Sequence, residues 1–178
     1  MENLTTERLI LIPVNQEIMD HVFANLSAVE QMNFLGCKSS HQLEEQQRRH
    51  RQGLSTFNKK FHYFFIREKT TNKHMGWCGF HTWHIDHQRA EIGYGIDEEF
   101  RQRGFMKEAL KPIIQFGFSV MNLHRIEAFA AEYNTASVRL LEIFGFNKEG
   151  VLKEHYKVNG KNEDSTAFAL LKKDYLLV

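Results

Sequence analysis

EIGYGIDEEFRQRGFMKEAL, residues 91–110, decides how this chain folds. Its first residues alternate. Ile92, Tyr94 and Ile96 point one way, Glu91, Gly93 and Gly95 the other, which is the period of a strand. From Phe105 the period becomes helical. Phe105, Ala109 and Ile113 form one i, i+4 row and Met106, Leu110 and Ile114 the next, with Lys107, Lys111, Gln115 and Ser119 on the opposite face. Gly104 sits at the junction. Open sheets hold ligands where a strand passes into a helix, and the first N–H groups of a helix, unpaired and at the positive end of its dipole, suit an anion such as a pyrophosphate. Gly104 lets the backbone come close to a ligand, and Arg101 and Arg103 add charge. The same residues also fit a plain turn with solvated arginines. Neither G-x-G-x-x-G nor a Gly-Lys-Ser/Thr ending occurs, so this is not a standard phosphate loop. Two glycines in the strand point to a bulge or a close neighbour. Pro112 takes one backbone bond, to Glu108, out of the helix and kinks it modestly.

Outward from this stretch, the strand 89–96, the helix 104–122 and a strand over 124–133 form a crossover whose two strands run parallel. Upstream, FHYFFIRE (61–68) and MGWCGFHTWHI (75–85) form a hairpin through the turn TTNKH. RLILIPV (8–14) reads as a first strand. Asn15 then caps a helix with Ile18, Met19, Val22, Phe23 and Leu26 on one side. HQLEEQQRRHRQGL (41–54) reads as a solvated helix with Leu43 and Leu54 near its ends. Downstream, TASVRLLEIFGF is a short helix closed by Gly145. Asn159-Gly160 joins the last two strands in a hairpin. The order β-α-α-β-β-β-α-β-α-β-β gives a mixed α/β (α+β) fold. With no linker or repeat, residues 1–178 read as a single domain.

A chain of 178 residues supports one full core. Charged residues make up 25% with a formal net charge of +1, which argues against a disordered tail and against nucleic-acid binding by bulk positive charge. Two cysteines, Cys37 and Cys78, are no disulfide framework, and a reducing compartment follows. The start lacks the basic and apolar segments of a signal peptide, and no apolar run approaches membrane length. The expectation is a cytoplasmic protein with no membrane partner.

EIGYGIDEEFRQRGFMKEAL, NTAS (134–137), LLEIFGFNKEGVLKE (140–154) and NGKNEDSTAFALL (159–171), in this order and spacing, closely resemble the GNAT superfamily of N-acetyltransferases. The branch most similar is that of the ribosomal-protein N-acetyltransferases, which modify terminal alanine or serine. TTERLILIP resembles that branch's first strand. The likeness runs from about Thr5 to Leu171. It implies a GNAT fold: a central mixed, mostly antiparallel sheet of about seven strands, splayed in a V between strands 4 and 5, with about four flanking helices.

The resemblance also implies a chemistry. The family's acetyl-CoA signature, Gln/Arg-x-x-Gly-x-Gly/Ala, falls on Arg101, Gln102, Arg103, Gly104, Phe105 and Met106. Met106 departs from the small residue usual there, and its side chain must point towards the core. The turn then holds the CoA pyrophosphate on backbone N–H groups. The pantetheine arm pairs with backbone near Tyr94, Gly95 and Ile96, as a cofactor strand would. Asn134 contacts that arm and Ser137 protonates the departing thiolate, although Asn at N-cap and Ser at N3 also make an ordinary helix start. Many superfamily members use a Tyr one turn on; here Leu140, Leu141 and Phe144 stand there. The usual Glu base of the branch falls on Tyr156, leaving the base between Glu91 and Tyr156 acting through water. The plain alternatives are an edge carboxylate and a cross-strand packing residue.

His81, His84 and His87, three apart on a strand, do not converge as metal ligands, and no metal is expected. His81 or His84 either lines an acceptor pocket with Trp77 and Trp83 or packs the hairpin. The reading is an acetyl-CoA-dependent N-acetyltransferase acting by direct attack. The resemblance favours a protein N-terminus as acceptor, with a polyamine, an aminoglycoside-like drug or a free amino acid as alternatives. A noncatalytic acyl-CoA sensor and a structural module are the rivals from other classes. Val151, Leu152, Val158, Phe168, Leu170 and Leu171 serve either a homodimer or the core.

Overall fold

The computed structural model describes residues 2–52 and 61–175. Its strands are β1 (Leu4–Thr5), β2 (Leu9–Val14), β3 (His62–Glu68), β4 (His74–His84), β5 (Arg89–Ile96), β6 (Arg125–Ala130), β7 (Asn147–Val158) and β8 (Lys161–Leu171). Its α-helices are α1 (Gln16–Asn25), α2 (Ala28–Leu35), α3 (Ser40–Gln52), α4 (Phe105–Ser119), α5 (Thr135–Ile143) and α6 (Lys172–Tyr175), and a 3₁₀ turn covers Glu98–Phe100. The strands follow one another in the hydrogen-bonded order β1-β2-β3-β4-β5-β6-β8-β7. The mixed, mostly antiparallel sheet expected from the sequence is borne out. It has eight strands and six α-helices among the described residues. The additions are small or hidden: β1 spans two residues, α6 one turn, and α2 was masked by its mixed composition.

The chain divides into two compact units, one of residues up to Trp83 with Gly93–Ile113, the other of His84–Ile92 with Ile114 onward. In the first, α1 starts where the Asn15 side chain accepts from the Ile18 amide at 2.9 Å. A capping box starts α2: the Glu30 carboxylate accepts from the Ser27 amide at 2.8 Å and Ser27 Oγ accepts from the Glu30 amide. Ser-x-x-Glu at 27–30 is the signal that announces this helix. In α3, Leu43 is buried, and Leu54 lies outside the described residues. Antiparallel pairing joins β2 to β3 and β3 to β4. One face of this sheet is the core: Leu9, Leu11, Phe64, Ile66, Met75 and Phe80 are fully buried, as are Ala109 and Ile113 of α4. Gly76 sits at φ 152°, and a Cβ there would lie 2.2 Å from the Gly95 carbonyl oxygen. Only a glycine admits that backbone approach.

In the second unit β5 runs parallel to β6, from Arg89↔Arg125 to Glu91↔Glu127, as the crossover predicts. Both β6 and β7 pair antiparallel with β8. Ala90, Leu123, Ile126 and Leu170 are fully buried. Asn159 (φ 48°) and Gly160 (φ 82°) make the two-residue turn that the sequence announces. The apolar residues of this hairpin separate by strand. Phe168 and Leu170 of β8 belong to the core, while Val151, Leu152 and Val158 of β7 are exposed.

Candidate functional site

In the first unit, the second half of β5 leads into the turn at Gly104. The Asp97 amide donates to the Met75 carbonyl at 2.8 Å, fixing the strand's end, and the buried Phe100 anchors the 3₁₀ turn. Arg101, Gln102, Arg103 and Gly104 are exposed. Gln102 at φ 60° and Gly104 at φ 76° are both left-handed, so two of the three residues before α4 take a conformation that favours glycine. The bond from the Glu108 amide to the Gly104 carbonyl, 3.0 Å, opens the helix. The amides ahead of it have no intrahelical acceptor. A Cβ on Gly104 would meet nothing nearer than an Arg8 nitrogen at 3.7 Å, so the surface over the turn is open to an anion. Phe105 is buried and Met106 half-buried.

Arg8 and Glu108, to which sequence reasoning gave no role, brace this turn. The Arg8 guanidinium lies 4.3 Å from the Phe105 ring centroid. It donates to the Arg103 carbonyl at 3.2 Å and through Nε to Glu108 Oε2 at 2.6 Å. Glu108 Oε1 also accepts from the Arg8 amide at 2.8 Å and from Thr6 Oγ1 at 2.5 Å. Burial opposes the ionisation of Glu108, but hydrogen bonds from Thr6 and Arg8 and the Arg8 charge outweigh it and hold the carboxyl below its ordinary range. No sequence spacing links residues 8 and 108; only folding joins them.

Above the same strand, Trp77 and His81 of β4 cover the glycine face of β5. A Cβ on Gly93 would lie 3.0 Å from His81 Nε2, and one on Gly95 3.1 Å from Trp77 Nε1. These side chains are the close neighbour that the two glycines announce. Trp83 instead packs against His62, with ring centroids 5.4 Å apart.

The second unit holds the remaining predicted residues. Asn134 caps α5, its side chain accepting from the Ser137 amide at 3.3 Å, and Ser137 is half-buried. Glu91 sits opposite Glu127 in the parallel register, and Arg89 and Arg125 neutralise Glu127 at 2.7 and 2.9 Å. Tyr156 follows a bulge: Leu152 pairs with Ser165 but Tyr156 with Glu163, and Glu154 between them has φ 50°. Bulges re-aim side chains, so counting along β7 could not fix where Tyr156 points. Burial, and then the nearby Glu91 charge, push the Tyr156 phenol up. A phenol so raised stays protonated at neutral pH and is a weaker acid than a free tyrosine. His84 and His87 have ring centroids 6.2 Å apart. Among the described residues no group of three or more His, Cys, Asp or Glu could hold a metal ion.

Comparison with known proteins gives the family and the fold. The chain is 32% identical over 95% of its length to the uncharacterized N-acetyltransferase YoaA of Bacillus subtilis, covering 96% of that protein. Other curated relatives are matched over 63% and 48% of their own length. The ribosomal-protein-S5-alanine acetyltransferase of Vibrio fischeri superposes with a TM-score of 0.69 at 22% identity, over 98% of this chain and 99% of that one. A mutant form of the spermidine/spermine N-acetyltransferase SpeG of Vibrio cholerae superposes with a TM-score of 0.68 at 25% identity, over 96% and 98%. Residues 8–147 match the acetyltransferase (GNAT) domain, and the chain belongs to that family of N-acetyltransferases.

Proposed function

We propose that this protein transfers the acetyl group of acetyl-CoA to a primary amine by direct attack, and that its acceptor is the α-amine of a protein N-terminus. The observation that carries the reading is the exposed, doubly left-handed turn Gln102–Gly104 ahead of α4, braced by Arg8. Amides from Gly104 to Met106 take the diphosphate, with Arg101, Gln102 and Arg103 at the rim. Backbone groups of Tyr94, Gly95 and Ile96 pair with the pantetheine arm, and donors near Ile96 polarise the thioester carbonyl. Asn134 contacts the arm.

The amine must be neutral to attack. An α-amine ionises near ~8, a lysine amine near ~10.4, so the former needs less help. Its lone pair forms the C–N bond, the C–S electron pair leaves on sulfur, one amine proton is lost, and the thiolate gains one. In this reading Glu91 receives the first proton and Ser137 supplies the second. Tyr156, the other candidate, stays protonated beside Glu91, because burial and then the Glu91 charge push its phenol up. No metal takes part. The amine attacks the thioester itself, so the reading needs no covalent enzyme intermediate, and Cys78 is fully buried. Both cysteines are free thiols, in keeping with a reducing cytoplasm. The whole chain acts as one catalytic domain, a reading supported by a family match that draws on both units. It acts as a homodimer, with exposed Val151, Leu152 and Val158 on β7 meeting a second copy.

Calorimetry with CoA, and a thiol-release assay with acetyl-CoA and a panel of amines, test the reading. CoA binding together with release of free thiol on N-terminal peptides is expected; release only with spermidine transfers the acceptor to the polyamines. A second reading, a noncatalytic acyl-CoA sensor, is favoured by the Tyr156 that stands in place of a Glu. Binding with no thiol release on any amine establishes it. If CoA does not bind, both readings fall.

A further inference from the structure

A cavity of about 530 Å³ opens within the first unit between the sheet and its helices. Its wall on the sheet is aromatic: Tyr63 and Phe65 of β3, Trp77 and His81 of β4. The rings interlock. Tyr63 meets Trp77 edge-on with centroids 5.1 Å apart, Tyr63 meets His81 at 6.2 Å, and Phe65 meets His74 at 5.4 Å. Register explains the layer. Phe65 pairs with Trp77 across the strands and Tyr63 with Gly79, so the missing side chain at 79 leaves Tyr63 room between Trp77 and His81. The opposite faces of these strands carry the buried Phe64, Ile66, Cys78 and Phe80. The aromatic layer is therefore additional to the core. Trp77 remains 36% exposed on the cavity wall.

The charge of the lining is as informative as its shape. Among the described residues that form it there is no Asp or Glu. Its one permanent cation, Arg49, is bonded to Glu45 on its own helix. Burial lowers the pKa of both His74 and His81, which favours their neutral forms. His74 Nε2 is buried without a hydrogen-bond partner in the described structure. A polyamine entering this cavity would lose the hydration of its remote ammonium groups and gain no carboxylate in return. An amine next to an apolar group would bury that group against the rings, and desolvation would favour the neutral, nucleophilic form of the amine. The cavity also reaches the reacting strand, since Trp77 and His81 lie on Gly93 and Gly95 of β5.

We propose that this cavity is the acceptor subsite and that it takes an amine carrying an apolar, preferentially aromatic, group and no second positive charge. The proposal rests on the acetyltransferase reading and narrows its acceptor to an N-terminus with an apolar first side chain.

The test compares phenylalaninamide, alaninamide and spermidine as acceptors by thiol release, and as ligands of the CoA-loaded protein by calorimetry. Phenylalaninamide is expected to exceed alaninamide about tenfold in kcat/KM, within the range that buried apolar groups supply, and to exceed spermidine. Trp77→Ala removes that preference. Phe65→Leu, farther from β5 and milder, reduces it and serves if Trp77→Ala does not fold. Preference for spermidine, equal rates for the two amides, or equal loss on both amides in the folded variants overturns the proposal. If CoA binds but no amine reacts, the transferase reading fails by itself; calorimetry then decides the cavity, where binding of phenylalaninamide but not spermidine supports it and the reverse, or no binding of either, overturns it.

Discussion

At the scale of residues, one ion pair explains how a glycine turn can be both exposed and fixed. Gln102 and Gly104 adopt left-handed backbone, which costs a non-glycine residue about 1 kcal/mol or more. Arg8 offsets this by holding the Arg103 carbonyl, the Phe105 ring and Glu108 together. Arg8→Ala is expected to raise the Kd for CoA about tenfold, ~1.4 kcal/mol, and the KM for acetyl-CoA with it, while kcat changes little. Arg8→Lys restores only part, because an ammonium cannot reproduce the fork. Calorimetry and steady-state kinetics measure both. Glu108 adds a pH dependence. An unfolded glutamate ionises at ~4.3; the folded Glu108 carboxyl ionises below that, so its contribution is complete above the unfolded value and fades as pH falls through the folded one. Glu108→Gln is therefore less stable than the parent in urea at pH 7, and the gap narrows towards pH 3.

At the scale of elements, β4 controls β5. Gly76 lets the two backbones meet: its Cβ position lies 2.2 Å from the Gly95 oxygen and 2.8 Å from the Ile96 Cα. Neither atom belongs to a flexible side chain, so the strand itself must move. Gly76→Ala is expected to destabilise by roughly 2 kcal/mol and to weaken CoA binding through the displaced Gly95–Ile96 backbone. Urea unfolding and calorimetry on the same variant check the two effects. The bulge before Tyr156 works in the same manner on β7. The Glu154 amide, donating to Asp164 at 2.9 Å, and the Lys153–Asp164 pair at 2.7 Å hold the bulged strand in place.

At the scale of the molecule, β7 is the last strand in the sheet order and is exposed along all its residues. A long edge with Val151, Leu152 and Val158 in water invites pairing with another chain. Sedimentation equilibrium is expected to give a dimer, and Leu152→Lys to shift it towards monomer without altering the far-ultraviolet spectrum. A monomeric parent protein removes the homodimer from the proposal. The chain itself determined its element order, its parallel crossover and its glycine turn, because these depend on periodicity, caps and turn residues close together along the backbone. The Ser27 capping box was equally legible and marks a helix that periodicity alone passes over. Only the tertiary structure decided that Arg8 reaches Glu108, that β7 bulges before Tyr156, and that Trp77 and His81 cover Gly93 and Gly95. Those contacts join residues far apart in the chain or depend on a change of register, and local propensity carries no information about either.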